Sequence, residues 1–348
     1  MTIKVLITGA GAPGIRGTLY SLKNNWDRRK IITIGVDMKE DVVGKYLCNS
    51  FYKVPPANDQ SFISTLLEIC EKEEVDVILP QVTDELPYLS RYKGQFEEIG
   101  VKVAVSEYTS IKLANNKYKL IQIARKVKVP APKTFLVKSW SDLEKAVEKI
   151  GYPFVVKPAV SSGMRGFRIV YESLDKKLIF FNEKPDSTKI TIDELYNILG
   201  ESFPELLVME YLSGKEYTVD VLSTKENVYA VIPRSRDQIR TGITFAGTVE
   251  KRDDIIDYTK RLTKALALEF AHGFQFKEDN EGTPKIIESN PRIQGTMVLS
   301  TVAGANVIYG AVKLALGEDI PEFKVRWGTR LLRYWGGIGV YDGITVEI

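Results

Sequence analysis

Apolar and polar positions along the first hundred residues fall into two kinds of block. Short apolar runs, Lys4 to Thr8, Ile31 to Asp37, Val75 to Pro80 and Val101 to Val105, read as buried strands, and segments between them such as Ser61 to Lys72 carry apolar residues at helical spacing. Strands alternating with helices predict a parallel, doubly wound α/β domain over residues 1–110. From Ser110 the pattern changes. One helix over Ile111 to Lys126 stops at Val129-Pro130-Ala131-Pro132, and Ser141-Asp142-Leu143-Glu144 reads as a capping box opening a short helix that Gly151 and Pro153 close. A strand, Phe154 to Val160, then leads into the loop Ser161-Ser162-Gly163-Met164-Arg165-Gly166 and a second strand from Phe167 to Tyr171. Further on, Phe270 to Lys277 and Pro284 to Ser289 predict a hairpin around the turn Asp279-Asn280-Glu281-Gly282.

Composition narrows the chemistry. The 348 residues are 44% hydrophobic and 27% charged, ordinary globular material long enough for more than one core. With 48 basic and 45 acidic residues the net charge is +3, which predicts small-molecule chemistry rather than a nucleic-acid face. Cys48 and Cys70 have no metal-ligand spacing, and His272 is the single histidine, so a thiol or histidine metal site is not expected. No signal peptide or spanning run is expected either, and the anticipated setting is cytoplasmic, away from membranes.

Five stretches carry candidate chemistry. The first is Gly9-Ala10-Gly11-Ala12-Pro13-Gly14, a G-x-G-x-x-G after a strand, with Asp37 at the end of the next strand; on this stretch alone an NAD-dependent oxidoreductase leads. The polar loop with Thr83, Asp84 and Glu85 follows another strand, where ligands of open sheets sit, although two acids also suit a helix start. Lys157 interrupts an apolar strand just before the Ser/Gly loop. It suits phosphate oxygens, with backbone donors near Ser162 and Gly163 closing over them; an edge-strand lysine reaching solvent is the plain alternative. In the hairpin, Glu288 and Asn290 stand two apart on one strand and share a face, and Gln275 on its partner adds a third oxygen. One carboxylate and two amides hold Mg²⁺ weakly unless phosphates complete the charge, so this set predicts metal-nucleotide binding, with Arg292 placed to neutralise a transferring phosphoryl group. Arg234, Arg236 and Arg240, at short intervals, read either as a clamp for a carboxylate or as a charged surface hairpin.

Taken in order, the segments NNKYKL (115–120), GYPFVVKPAVSSGMRGF (151–167), LVMEYLSGKEYTVDV (207–221), GFQF (273–276) and IIESNPRIQG (286–295) resemble the ATP-grasp superfamily, above all the synthetase halves of the carbamoyl phosphate synthase large subunit and their stand-alone relatives. The resemblance implies a mixed α/β and α+β architecture: a Rossmann-like preceding domain with a parallel sheet at 1–110, then a two-lobed ATP-grasp domain at 111–348 with 128–208 as its small lid lobe. It assigns ATP phosphates to Lys117 and Lys157 and backbone recognition of adenine to Glu210 and Leu212. Glu216 falls to the ribose, Mg²⁺ or Mn²⁺ to Gln275, Glu288 and Asn290, and the phosphates' neighbouring arginine role to Arg292. Arg234 and Arg240 are the expected clamp, and Gly11, Thr83, Asp84 and Glu85 the expected acceptor contacts, which removes the need for NAD.

The implied reaction passes the γ-phosphoryl of ATP to a small carboxylate, and an amine attacks the acyl phosphate. A site offering positioning and charge but no nucleophile or histidine base suits that chemistry. A nucleotide-binding regulatory subunit without turnover is the second reading. A homodimer is the ordinary prior for such an enzyme. The chain holds one synthetase half, so carbamoyl phosphate synthesis itself is not implied, and Gln275 stands where other branches use an acid, leaving Glu278 or Asp279 as competitors for the metal.

Overall fold

The computed structural model describes residues 2–161, 163–240, 242–341 and 344–347. They divide into two compact units: residues 1–114, 216–275 and 289–348 form the first, and 115–215 with 276–288 form the second. Each is built from mixed helices and strands, and no helix among the described residues is long and apolar enough to cross a membrane.

The first unit begins with a five-stranded parallel sheet. Its strands are β1 (Ile3–Thr8), β2 (Ile31–Asp37), β3 (Ser50–Lys53), β4 (Val77–Leu79) and β5 (Lys102–Val103), in the order β3-β2-β1-β4-β5. The order reverses at β1, so the carboxyl ends of β1, β2 and β4 open onto a switch point, where such sheets bind ligands. Both faces are covered, which explains why the strands read as unbroken apolar runs. Along β1, Val5 and Ile7 face a cluster containing Leu222, Met297 and Ile308, while Leu6 faces Phe62 and Leu66 of the helix Phe62–Glu73. The first of these clusters joins residues from before and after position 110. The boundary drawn there from the sequence therefore does not separate two cores.

The second unit carries a five-stranded sheet of β6 (Thr134–Ser139), β7 (Phe154–Pro158), β8 (Arg168–Tyr171), β9 (Lys189–Thr191) and β10 (Ser202–Glu210), ordered β6-β10-β7-β8-β9 and antiparallel except at β8/β9. The segment expected as a lid lobe, 128–208, lies within this unit. Two helices depart from expectation. The single helix over Ile111 to Lys126 is two, Tyr108–Ala114 and Lys117–Lys126, because the Asn116 side chain accepts from the Lys119 amide and caps a new start. The helix Trp140–Ile150 is capped by Ser139, which accepts from the Asp142 amide, rather than by Ser141.

Chain order continues with β11 (Glu216–Ser223), β12 (Val228–Ser235), β13 (Gln238–Arg240), β14 (Ile243–Thr248), β15 (Phe270–Glu278) and β16 (Pro284–Asn290). One sheet runs β12-β11-β15-β16. In the first unit β17 (Arg330–Leu332) pairs with β14, and β18 (Ile338–Tyr341) forms a hairpin with β19 (Ile344–Glu347).

Candidate active site

In the second unit, β7 lies between β10 and β8, an interior position that removes the edge-strand reading of Lys157. Lys157 pairs with Leu207 and Val155 with Met209, so the lysine shares a face with an apolar cluster of Val155, Leu207, Met209 and Ile121. Its Nζ is 3.4 Å from the carbonyl oxygen of Ile287. A cavity of about 130 Å³ lined by Val156, Leu195 and Leu206 lies on the opposite face of the sheet.

Lys117 takes the first helical position behind the Asn116 cap and is only 8% exposed. Its Nζ donates to the carbonyl oxygen of Ser161 at 2.8 Å and stands 3.4 Å from Oε1 of Glu288. Its backbone amide donates to the carbonyl of Ala159. One lysine therefore ties the helix start, the entrance of the Ser/Gly loop and the hairpin carboxylate together. In that loop Gly163 is exposed with φ +62°, and a Cβ there would meet the Arg165 side chain at 3.9 Å; Ser162 lies outside the described residues.

The segment after β10 is tied down by ion pairs. Glu210 accepts from Lys285 Nζ at 2.8 Å and from the Lys133 amide at 3.0 Å, and its own amide donates to the Lys133 carbonyl. Leu212 is buried. Burial works against the Lys285 charge, but hydrogen bonds to Glu210 and Asp279 overcome it and raise the ammonium's pKa. Asp279 also accepts from the amides of Glu281 and Thr283. Its oxygens serve the turn and Lys285, so Asp279 is a poor competitor for a metal.

Glu288 belongs to the second unit and Gln275 and Asn290 to the first, where Gln275 is half-buried. Among the described residues no group of three or more His, Cys, Asp or Glu side chains can hold a metal. A donor set of one carboxylate and two amides fits a hard cation only when phosphate oxygens complete it. Asn290 Oδ1 accepts from Arg292 Nη2 at 3.2 Å, and Arg292 Nε donates to Thr83 Oγ1 at 2.8 Å. Arg292 thus joins the strand end of β16 to the loop after β4.

The structure corrects the arginine clamp. Arg234 is fully buried with Asp220: its Nη2 donates to Oδ1 at 2.7 Å, its Nε is 2.7 Å from Oδ2, and its Nη1 donates to Thr296. A guanidinium sealed against a carboxylate of its own chain has no face left for substrate. Arg236 pairs with Glu216 and donates to Gly242 and Thr244, so Glu216, assigned to the ribose by resemblance, already shares its carboxylate with an arginine. Arg240 is exposed and stands over the rings of Phe245 and Trp335, at 4.7 Å and 5.7 Å.

The glycine loop is explained by its own neighbours. Gly9 has φ +62°, and a Cβ there would meet Val82 at 2.4 Å; at Gly11 it would meet Val42 at 2.8 Å, and at Gly14 the Gly295 backbone at 2.7 Å. The Gly11 amide donates to Asp37 Oδ2 at 2.8 Å. The donor a dinucleotide pyrophosphate would require is held by the very acid read as its ribose anchor.

Next to it, the 3₁₀ turn Thr83–Glu85 leaves Asp84 exposed and buries Glu85. Burial pushes the Glu85 carboxyl up to about 7, and the nearby charges of Asp37 and Asp84 push the same way against a hydrogen bond from Thr8. Glu85 Oε2 is buried with no hydrogen-bond partner among the described residues. The helix that follows, Leu86–Arg91, is not capped by a Glu85 side-chain hydrogen bond.

Arg333 carries no signal in the sequence. Its Nη2 donates to the carbonyl of Pro13 in the glycine loop, it stands 5.8 Å from the Phe245 ring, and burial alone lowers its pKa. Nothing in the tail's residue pattern marks it, because the pairing of β17 with β14 that brings it there is long-range.

Residues 5–104 match the family described as PylC-like, N-terminal domain, and residues 202–331 match the family described as ATP-grasp in the biosynthetic pathway with Ter operon. The chain is 27% identical over 273 residues to the carbamoyl phosphate synthase large chain of Clostridium acetobutylicum, covering 75% of this chain and 24% of that one. It is 28% identical over 265 residues to the same protein of Methanobrevibacter smithii, covering 74% and 24%. It therefore spans about a quarter of the length of these relatives. Among solved structures, N5-carboxyaminoimidazole synthetase from Staphylococcus aureus, complexed with ADP, superposes with a TM-score of 0.69 at 17% identity over 93% of this chain and 80% of that one. The biotin carboxylase domain of Hydrogenobacter thermophilus 2-oxoglutarate carboxylase, in complex with MgADP and bicarbonate, gives 0.69 at 18% identity over 94% and 73%.

Proposed function

We propose that the chain, which matches an ATP-grasp family over residues 202–331 and resembles a quarter of the carbamoyl phosphate synthase large chain, is an ATP- and Mg²⁺-dependent ligase joining a small carboxylate to an amine. The observation that carries the reading is the meeting of Lys117, the carbonyl of Ser161 and Glu288 within one unit. A phosphate-binding lysine, the entrance of a glycine-containing loop and a metal-ligand carboxylate are the parts a phosphoryl-transfer site needs close together.

Bound MgATP supplies the γ-phosphoryl group that turns the carboxylate into an acyl phosphate. Lys117 and Lys157 bind and orient phosphate oxygens, and the apolar face of Val155, Leu207 and Met209 suits a nucleobase. Glu210 and Leu212 carry the adenine role through their backbone. Glu288, with Gln275 and Asn290, holds the cation. Arg292, fixed by Thr83, neutralises charge on the transferring group. Arg240 remains the arginine of its cluster suited to a substrate, and Gly163 gives the Ser/Gly loop its turn. The amine then displaces phosphate from the acyl carbon, so no enzyme nucleophile is required.

The test is a phosphate- and ADP-release screen that crosses small carboxylates with amines in the presence of MgATP. ADP release that requires both partners is the expected result. ATP binding without ADP release across the panel would sink the ligase reading and leave a nucleotide-binding regulator.

A further inference from the structure

Among the residues expected to contact the acceptor, Glu85 is a buried acid at the first unit's switch point. It is 9% exposed, and Oε2 has no partner among the described residues. The groups acting on its carboxyl are the Thr8 hydroxyl and the carboxylates of Asp37 and Asp84, and none of them is a cation. Thr8 is itself fixed, since its hydroxyl accepts from the Gln81 amide at 3.2 Å. A buried oxygen left unpaired costs about 1–3 kcal/mol, and a fold that carries it invites a donor from outside.

The chemistry of that donor follows from the neighbours. An anion would add to the negative charge that Asp37 and Asp84 already place near Glu85, so the ligand must bring positive charge and N–H groups. A bare metal ion fits poorly, because these acids do not converge into a metal-holding group. The turn that carries Glu85 also carries Thr83, which holds Arg292 at 2.8 Å, so the seat adjoins the arginine assigned to the transferring phosphoryl group. An amine that is to attack an acyl phosphate must wait beside that group.

We propose that Glu85, assisted by the exposed Asp84, seats the acceptor's nitrogen as an aliphatic ammonium. The inference rests on the ligase reading for the nitrogen's purpose, but the seat can be tested without turnover. The probe is propylamine at pH 8, with 1-propanol as its neutral isostere, read by thermal shift on the intact chain. Propylamine should raise the unfolding temperature of the wild type while propanol does not, and Glu85→Gln should abolish the response. Asp84→Asn, a surface change that leaves the core untouched, should weaken it. In the ligase assay Glu85→Gln should raise the amine's KM by about tenfold or more, the cost of one charge-assisted hydrogen bond, with ATP's KM unchanged.

An equal response to propanol, or a propylamine response that survives in both variants, overturns the seat. Amine binding that depends on Glu85 in a chain that never turns over ATP upholds the seat while removing the ligase. Amine-dependent ADP release whose KM is the same in Glu85→Gln upholds the ligase and removes the seat.

Discussion

The ammonium of Lys117 stands 3.4 Å from Glu288 and donates to the Ser161 carbonyl at 2.8 Å, so the proposed phosphate lysine and the proposed metal carboxylate neutralise each other in the protein alone. MgATP brings both charges with it and takes both partners. Glu288→Gln should therefore reduce ADP formation by about a hundredfold or more, the usual scale for losing a transition-state electrostatic contact, while ATP still binds. An active Glu288→Gln enzyme would end the metal assignment. Since Glu288 is 30% exposed, a double-mutant cycle with Lys117→Met should return a coupling of only about 1 kcal/mol in unfolding experiments.

Replacing Lys157 by Met should weaken ATP binding without unfolding the second unit. The residue sits on an interior strand, and Met fills the space its stem occupies beside the apolar face. Equilibrium binding of a fluorescent ATP analogue reads the effect, and unchanged affinity would show that the lysine serves the sheet alone.

The Arg234–Asp220 pair should behave as architecture. Both side chains are fully buried, and Ser300 adds a hydrogen bond to the carboxylate, so Arg234→Met leaves a buried charge without its partner. The expected loss is about 3–5 kcal/mol by denaturant unfolding. A variant of native stability that has lost only turnover would return Arg234 to the clamp.

Gly14→Ala should lower stability, because its methyl meets the Gly295 backbone at 2.7 Å, which cannot swing aside as a side chain can. With Gly11 committed to Asp37, titration with NADH should give no fluorescence change in wild type. NADH binding would reopen the dehydrogenase reading.

Glu85 makes stability depend on pH. In the folded chain its carboxyl is raised from 4.5 to about 7, so below pH 4.5 both states hold the proton and nothing is lost. Between pH 4.5 and 7 the unfolded chain releases that proton while the folded carboxyl still holds it, and stability falls by about 3 kcal/mol across this window. His272 works in the opposite direction. Burial pulls it down to about 4, so it costs stability as pH falls below 6.5, equally in wild type and Glu85→Gln. Urea unfolding at pH 5 and pH 8 should therefore show Glu85→Gln gaining on wild type toward pH 8. Parallel curves would place Glu85 in contact with water.

Much of this was legible in the sequence. The strands β1, β2 and β7 stand out as apolar runs because both faces of their sheets are covered, and Asp279 to Gly282 announced the hairpin of β15 and β16. The single helix expected over Ile111 to Lys126 breaks where the Asn116 side chain accepts from the Lys119 amide. Arg234 read as a substrate clamp because its partner Asp220 arrives only through the register of β11 and β12. The glycines of the opening loop looked like room for a ligand, whereas Val82, Val42 and Gly295 come from three other parts of the chain to fill it.

The second unit takes its residues from two separate stretches, 115–215 and 276–288, and the shorter one delivers Lys285 and Glu288. A single genetic crossover cannot move the second unit into another protein intact. Residues 115–215 grafted alone would arrive without the partners of Lys117 and Glu210. The first unit is built from three stretches, so neither unit travels as one continuous piece of chain.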